Sequence, residues 1–268
     1  MNSKDWDEVS KDYYSNIISP IKNSIGKNPL FEDLNQLDSD NRNVIDLGCG
    51  LGPLAPILSE NFKKVTGIDF SKKMIEKAKK NNERLTNTTF IVADMKNLTE
   101  FYNKYDVAIA INSLVAKDIN TINKIINEIF KVLKEGGELY AVLPSMETYI
   151  YQGMLVIDKE LRKGNPQYKA RKKALKLLSP DEHDFVEGKI TYGGDTQKAL
   201  YRFEILHRFS KAGFVDIKIG RIHYDWIAWR DSGQSYFPTE EPPWDWYLSC
   251  QKPKSPSKKR KIYKSPKK

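Results

Sequence analysis

The sequence predicts an α/β fold in which a mostly parallel β-sheet is doubly wound, with helices on both faces. Three observations predict it. Short apolar segments alternate with helical segments between residues 44 and 143. Several apolar segments end in an acid or a small polar residue, and the first runs into a loop with glycine at every second position. This pattern is typical of parallel sheets that bind ligands at the carboxyl ends of their strands.

Each element is predicted from its own pattern of apolar residues and turn signals. The first strand and its loop span residues 44–54, and four more apolar strand segments follow at 65–70, 89–95, 105–113 and 137–143. Helical segments at 54–61, 72–84 and 119–134 separate them. An amphipathic helix over 199–213 precedes an alternating edge strand over 215–226, and a last strand is predicted over 244–250. The total is seven strands.

The glycine loop, residues 48–52, carries the first functional prediction. Gly48, Gly50 and Gly52 let the backbone turn tightly and approach a ligand that a β-carbon would push away. The helix that follows directs its first N–H groups at the same ligand. Asp69 lies 17 residues past Gly52 at the end of the second apolar strand, which suits an acid that binds both ribose hydroxyls. Together these residues predict a site for a nucleotide-type cofactor.

With these residues in place, the chain resembles the class I S-adenosylmethionine-dependent methyltransferases over residues 44 to about 143. The resemblance implies a Rossmann-like, seven-stranded sheet with an antiparallel last strand, and S-adenosyl-L-methionine as the cofactor. It implies that Phe70 packs on the adenine, that Asp94 and Met95 face the adenine edge, and that Asn112 lies between cofactor and acceptor. The implied cofactor-binding residues are Asp46, Gly48, Cys49, Gly50, Gly52, Asp69, Phe70, Asp94, Met95 and Asn112.

Two other classes compete with a methyltransferase. Residues 50–55 also fit the G-x-G-x-x-A pattern of a nicotinamide-dependent dehydrogenase. Asp46 argues against it, because an acid beside the loop suits a cationic sulfonium and repels a pyrophosphate. The other alternative is a non-catalytic partner subunit that binds adenosylmethionine without turning it over.

The remaining chain is expected to select the acceptor. Residues 1–40 are predicted to form an N-terminal helical lid, 41–250 the methyltransferase domain, and about 144–198 a helical insertion after strand 5 on the acceptor side. Methyl transfer needs a base only where the acceptor must lose a proton. The candidate catalytic residues are Tyr13, Asn112, Glu147 and His183, with His207 and His223 as further candidate bases.

Charge separates the body of the chain from its end. The segment 251–268 holds nine of the 44 Lys and Arg and no acid, so the remaining 35 basic residues balance the 35 Asp and Glu. A tail of this composition is expected to be disordered. The neutral body favours a small-molecule acceptor, and the basic tail leaves open an RNA or protein methyltransferase or a nuclear signal.

Composition sets the expected environment. The chain has 268 residues and is 40% hydrophobic, enough for one sizeable core. It has no run of 18 apolar residues, which argues against a membrane span. Its two cysteines, Cys49 and Cys250, lie far apart and suggest neither a disulfide framework nor a metal site. A cytoplasmic enzyme without a metal is therefore expected.

Overall fold

A computed structural model describes residues 19–37, 39–179, 183–192, 195–231 and 236–254. Its strands are β1 Ser24–Ile25, β2 Asn43–Leu47, β3 Lys64–Asp69, β4 Thr88–Val92, β5 Tyr105–Ile111, β6 Leu133–Leu143, β7 Lys189–Tyr192, β8 Asp195–Lys198, β9 Val215–Tyr224 and β10 Trp244–Gln251. Its α-helices are α1 Pro29–Gln36, α2 Ala55–Asn61, α3 Lys72–Asn81, α4 Ile119–Val132, α5 Met146–Arg162, α6 Gln167–Leu178, α7 Arg202–Lys211 and α8 Trp226–Asp231. Tyr13 and residues 255–268 of the basic tail lie outside the described residues.

The main sheet has the order β1-β9-β10-β6-β5-β2-β3-β4. Strands β2 to β6 are parallel to one another, whereas β10 runs antiparallel to both β6 and β9. The chain leaves β2 toward β3 on one side and later returns to β5 on the other. The ligand crevice of such a sheet opens at this reversal, at the carboxyl ends of the strands.

The prediction of seven strands in this sheet is wrong by one, because the sheet has eight. The additional strand β1 pairs antiparallel with the end of β9, where Ser24 is opposite Tyr224 and Ile25 opposite His223. A two-residue strand is too short to show a hydrophobic period, so no sequence pattern indicated it. The pairing covers part of β9, which was expected to be an edge strand.

Both faces of the parallel strands are buried, as a doubly wound sheet requires. In β5, Val107 and Ile109 pack on one side with α1 and α2, while Ala108 and Ala110 pack on the other with α4 and α7. Successive side chains of a strand point to opposite faces, so a continuous apolar run fills both layers. The predicted α/β architecture is confirmed.

Helix α4 shows how local signals set the outer layer. The carboxylate of Asp118 caps its first turn by accepting a hydrogen bond from the N–H of Thr121 at 2.9 Å. Buried isoleucines then recur at helical spacing and face the sheet, at positions Ile122, Ile125, Ile126 and Ile129. The helix ends at Val132 and β6 begins at Leu133, four residues before the predicted strand start.

The insertion after β6 is helical in its first part only. Helices α5 and α6 pack closely, since a β-carbon on Gly153 would lie 2.6 Å from the Leu178 side chain. The last part is the antiparallel hairpin of β7 and β8, where helix was expected. Its strands are four residues long, so their pattern was not distinguishable from that of a helical turn. No helix in the described part of the chain is both long and apolar enough to cross a membrane.

Candidate functional site

The glycine loop leaves β2 at the sheet reversal and is bent toward β3. The N–H groups of Gly48 and Cys49 both donate to the carbonyl of Ile68, at 2.8 and 2.9 Å. Gly48, Gly50 and Gly52 have φ values of 72°, 53° and 72°, in the left-handed region that favours glycine. The tight turn expected from the sequence is therefore present.

Space around the loop also requires glycine. A β-carbon on Gly48 would lie 2.4 Å from Cβ of Ser113, and one on Gly52 would lie 2.6 Å from the side-chain nitrogen of Asn82. These neighbours belong to the segment after β5 and to the end of α3. The loop is thus packed on two sides, and its backbone N–H groups and the acids beside it form the remaining face.

Asp69 joins the loop to β3. Its carboxylate accepts one hydrogen bond from the N–H of Gly50 at 3.0 Å and another from the N–H of Ser71 at 2.8 Å. The side chain is buried, and these two donors fix the plane of the carboxylate. Each carboxylate oxygen accepts more than one hydrogen bond, so a vicinal diol such as a ribose is a suitable partner.

Asp46 lies in β2, one residue before Leu47, and is buried beside Asp69. Burial, and then the negative charge of Asp69, raise the pKa of Asp46 to about 7. The same two causes, together with the charge of Asp46 itself, raise the pKa of the buried Cys49 thiol well above its usual value. A thiol of this kind is a poor nucleophile, whereas two neighbouring buried acids attract a cation.

The next three predicted cofactor contacts follow the strand ends but are more open. Phe70 is half-buried directly after Asp69. Asp94 follows β4 with 49% of its side chain exposed, where it accepts from the N–H of Lys96 at 2.9 Å and pairs with the Lys96 ammonium at 3.1 Å. Met95 is half-buried against the main core. The structure therefore gives Asp94 a turn-forming role, and its contact with a cofactor stays a prediction.

Asn112 and Ser113 follow β5 on the other side of the glycine loop. The side-chain nitrogen of Asn112 donates to Oδ2 of Asp245 at 3.0 Å. Asn112 has a φ of 45°, an uncommon backbone conformation for this residue type. Within the described part of the chain, Oδ1 of Asn112 and Oγ of Ser113 are buried and have no hydrogen-bond partner.

The other candidate catalytic residues have structural partners. Glu147 accepts from the N–H of Arg202 at 2.9 Å, at the start of α7. His183 is buried, and its Nδ1 accepts from the N–H of Thr191 at 3.3 Å. His207 is exposed on α7, while His223 lies 3.2 Å from a carboxylate oxygen of Glu241. Their assignment as acids or bases stays a prediction.

A buried polar cluster adjoins Asn112 and was not predicted from the sequence. Asp245 accepts from the hydroxyl of Tyr224 at 2.6 Å, from the Asn112 amide, and from the N–H of Ser145 at 3.3 Å. We call Asp245, Tyr224, Asn112 and Ser145 the Asp245 cluster. Burial raises the pKa of Asp245 above its ordinary value. The available signal was one acid within the otherwise apolar and aromatic strand β10.

Among the described residues, no group of three or more His, Cys, Asp and Glu is placed to hold a metal ion. A polar cleft lies at the opposite edge of the sheet, near the amino ends of β2, β3 and β4. Its lining includes Asn43, Lys63, Lys64 and Lys134. Because α/β sheets bind ligands at the carboxyl edge, the glycine loop and the Asp245 cluster define the candidate site.

Comparison with known proteins identifies the family of this chain. Residues 38–207, more than half of the chain, match a family model described as a methyltransferase domain. The demethylmenaquinone methyltransferase of Leptospira interrogans is 28% identical over 141 residues, which are 50% of this chain and 56% of that protein. The ubiquinone biosynthesis O-methyltransferase of Coxiella burnetii is 24% identical over 168 residues, or 61% and 68% of the two chains. The chain thus spans about half the length of the first relative.

The structure also superimposes on solved structures of other proteins. The N-methyltransferase NodS from Bradyrhizobium japonicum, solved in complex with S-adenosyl-L-homocysteine, superimposes with a TM-score of 0.53. The sequence identity is 14%, and the match covers 83% of this chain and 85% of that one. At this identity the likeness establishes the fold, and the family model establishes the family. The chain therefore belongs to the class I S-adenosylmethionine-dependent methyltransferases.

Proposed function

We propose that this protein transfers a methyl group from S-adenosylmethionine to a small acceptor that carries an aromatic or quinone-like ring. The observation that carries the cofactor half of the proposal is the pairing of the glycine loop with two buried acids, Asp46 and Asp69. The acceptor half is supported by the ring side chains around the Asp245 cluster and by the names of the two relatives, both of which refer to quinones.

The residues present fit adenosylmethionine. The loop at Gly48 and Gly52 has no room for a side chain, so a ligand can contact the backbone directly. The carboxylate of Asp69 is oriented by two N–H donors and can accept from ribose hydroxyls. The pKa of Asp46 is raised because the side chain is buried and lies beside Asp69, and a sulfonium or ammonium group would compensate the negative charge of these acids.

When bound, adenosylmethionine would supply an electrophilic methyl group. The acceptor nucleophile would form a bond to this methyl group, and the electron pair of the broken C–S bond would return to sulfur. The protein's part in such a displacement is to align the reactants and to exclude water. The glycine loop and Asp69 hold one reactant. Next to them, helix α5 and strands β9 and β10 come together, and the buried rings of Tyr224 and Trp229 stack with ring centroids 6.0 Å apart.

Aromatic side chains favour a ring-shaped acceptor over a flexible polar one. The ring centroids of Tyr149 and Trp229 lie 6.3 Å apart. The indole N–H of Trp229 donates a hydrogen bond to Oε1 of Gln152 at 3.2 Å, which fixes the orientation of the indole. Rings of this kind stack on planar ligands at a small entropic cost because few of their torsions are free.

A labelled-methyl assay tests the proposal. Purified full-length protein would be incubated with methyl-tritiated adenosylmethionine and, in separate reactions, 1,4-naphthohydroquinone, catechol or total RNA. We expect label in an organic extract of at least one small-molecule reaction, and its loss in Asp69→Asn at a cofactor concentration near the wild-type Kd. Cofactor binding without label on any small molecule would contradict the proposed acceptor class. Label on RNA alone would replace it with an RNA methyltransferase.

A further inference from the structure

The Asp245 cluster lies at the same edge of the sheet as the glycine loop. Asn112 directly follows β5, and Tyr224 is the last residue of β9. Trp246 of antiparallel β10 is paired with Leu143, the last residue of β6, so Asp245 lies just beyond the carboxyl end of that strand. Three strands thus bring the cluster together next to the cofactor loop.

Asp245 accepts hydrogen bonds on both of its oxygens. Oδ2 receives the Tyr224 hydroxyl and the Asn112 side-chain nitrogen, and Oδ1 receives the Ser145 N–H. These donors leave Asp245 poorly suited to take a proton from an acceptor. They do fix the Asn112 amide, because its NH2 group must face Asp245 and its Oδ1 must therefore face away.

That fixed Oδ1 is the unusual feature of the cluster. It is buried without a partner among the described residues, and so is Oγ of the next residue, Ser113. A buried polar atom without a partner costs free energy, so such atoms usually mark a missing ligand or water. The positive φ of Asn112 adds a strained backbone at the same point, which is common at functional sites.

The two atoms face different parts of the site. Ser113 packs against the glycine loop, with Oγ only 3.2 Å from the position of a β-carbon on Gly48. Asn112 is instead tied to Asp245 and Tyr224, and Tyr224 stacks on Trp229. Ser113 therefore borders the glycine loop, while Asn112 lies beside the packed rings of Tyr224 and Trp229.

We propose that Oδ1 of Asn112 accepts a hydrogen bond from the nucleophilic O–H or N–H of the acceptor, and that Asp245 and Tyr224 are positioning residues that hold the Asn112 amide in the required orientation. The inference rests on the proposed function and narrows it. An acceptor with a hydroxyl or amine donor beside its ring satisfies Oδ1, whereas the corresponding ether or tertiary amine does not.

Matched pairs of probes test this without knowledge of the natural acceptor. With adenosylhomocysteine at saturation, 2-naphthol and 2-methoxynaphthalene would be titrated into full-length protein and followed by the change in tryptophan fluorescence or by calorimetry. We expect wild type to bind 2-naphthol about fivefold more tightly than its ether, the value of one neutral hydrogen bond. The ratio of the affinity for 2-naphthol to that for its ether should fall to about 1 in Asn112→Ala. The same ratio should decrease in Asp245→Asn and in Tyr224→Phe.

A second tyrosine-carboxylate pair provides the control. The hydroxyl of Tyr102 donates to Glu128 at 2.8 Å, next to α4 and away from the cluster. Tyr102→Phe should lose a similar hydrogen bond and keep the wild-type probe ratio. Each variant would also be titrated with adenosylhomocysteine alone, and we expect Asn112→Ala to bind it within about threefold of wild type.

Three results would overturn the proposal. The first is a wild-type affinity ratio of 2-naphthol to its ether near 1, or the failure of both probes to bind. The second is a ratio that does not change in Asn112→Ala. The third is a tenfold loss of adenosylhomocysteine affinity in that variant. The last would assign Oδ1 to the cofactor. If wild type does not bind adenosylhomocysteine, the proposed function fails instead, and the probe ratio is then measured on the free protein with the same criteria.

Discussion

The glycine loop and the Asp245 cluster lie at the same sheet edge but are assembled from different lengths of chain. The loop and Asp69, which accepts a hydrogen bond from it, come from one β-α-β unit, within residues 43–69. The Asp245 cluster joins the ends of β5 and β9 to the starts of α5 and β10, and Asn112 and Asp245 are 133 positions apart in the sequence. The first is a local structure that many sequences share, and the second depends on how distant elements pack.

This difference has a functional consequence. A cofactor that is common to a family needs the same local geometry in every member, and a glycine loop provides it through its backbone. An acceptor differs between members, and a cluster built from separate elements can change one residue at a time. Four predictions test whether the two regions are separable, in order of expected effect.

The largest effect is expected from Gly48→Ala. The added β-carbon would lie 2.4 Å from Cβ of Ser113 at a φ of 72°, so the variant suffers both a clash and backbone strain. We expect the free energy of unfolding to fall by about 3 kcal/mol in urea denaturation.

Gly164→Ala is the matched control, since Gly164 has a φ of 79° and no atom within 4 Å of an added β-carbon. Its cost should be about 1 kcal/mol, from backbone conformation alone. Equal losses in the two variants would show that the packing of the loop against Ser113 is unimportant.

Asp69→Asn is expected to weaken adenosylmethionine binding about 30-fold, or about 2 kcal/mol. An asparagine retains one oxygen, but its NH2 group would face the N–H of either Gly50 or Ser71. Isothermal titration calorimetry measures the loss. Asp94→Asn is the comparison, because the Asp94 side chain is half exposed. A larger loss of affinity in Asp94→Asn than in Asp69→Asn would show that Asp94 contributes more to cofactor binding.

The pH dependence of cofactor binding should report Asp46. Its pKa of about 7 in the free protein falls when a cation binds nearby, so binding releases a proton. The affinity for the cofactor should therefore rise with pH up to about 7 and stay constant above it. The rise should be at most about tenfold, or about 1.4 kcal/mol, per pH unit. Calorimetry in two buffers with different ionisation enthalpies measures the released proton.

Asp46→Asn should remove this dependence. A wild-type affinity that does not change between pH 6 and 8 would contradict the assignment. In the protein without ligand, the free energy of unfolding is expected to change with pH in the opposite direction. The pKa of Asp46 is raised above its unfolded value of 3.8, so its contribution to stability is lost as pH rises toward 7.

The smallest effect on cofactor binding is expected for Asp245→Asn, the same substitution as in Asp69→Asn but in the other region. We expect the free energy of unfolding to fall by about 1 kcal/mol, because one of the three donors loses its acceptor. Adenosylhomocysteine affinity should change less than about twofold. A loss as large as that of Asp69→Asn would show that the two regions are one coupled unit.

The parts of the fold that the sequence predicted share a strong local signal. Strands β2 to β6 are runs of apolar residues long enough to fill both layers, and α3 and α4 begin at the capping side chains of Ser71 and Asp118. The missed elements, β1 and the β7-β8 hairpin, are only two and four residues long per strand. Such short segments form because a partner strand is already in place.

The same reasoning applies to the site. Asp46 and Asp69 were predicted because they occupy strand ends next to the glycines, and the structure buries both beside the loop. Asp94 has the same sequence position after β4, yet its side chain is half exposed and pairs with Lys96. Position at a strand end therefore did not distinguish the two buried acids from the exposed one, because burial and orientation depend on packing.

The sequence by itself determined the parallel part of the sheet and the glycine loop, because these rest on periodicity and on backbone requirements within short segments, and its resemblance to a known family implied the class of cofactor. The tertiary structure decided where Asn112, Tyr224 and Asp245 meet and which of their atoms stays unpaired. The physical reason is that a hydrogen bond across 133 residues exists only after β5, β9 and β10 have taken their places in one sheet.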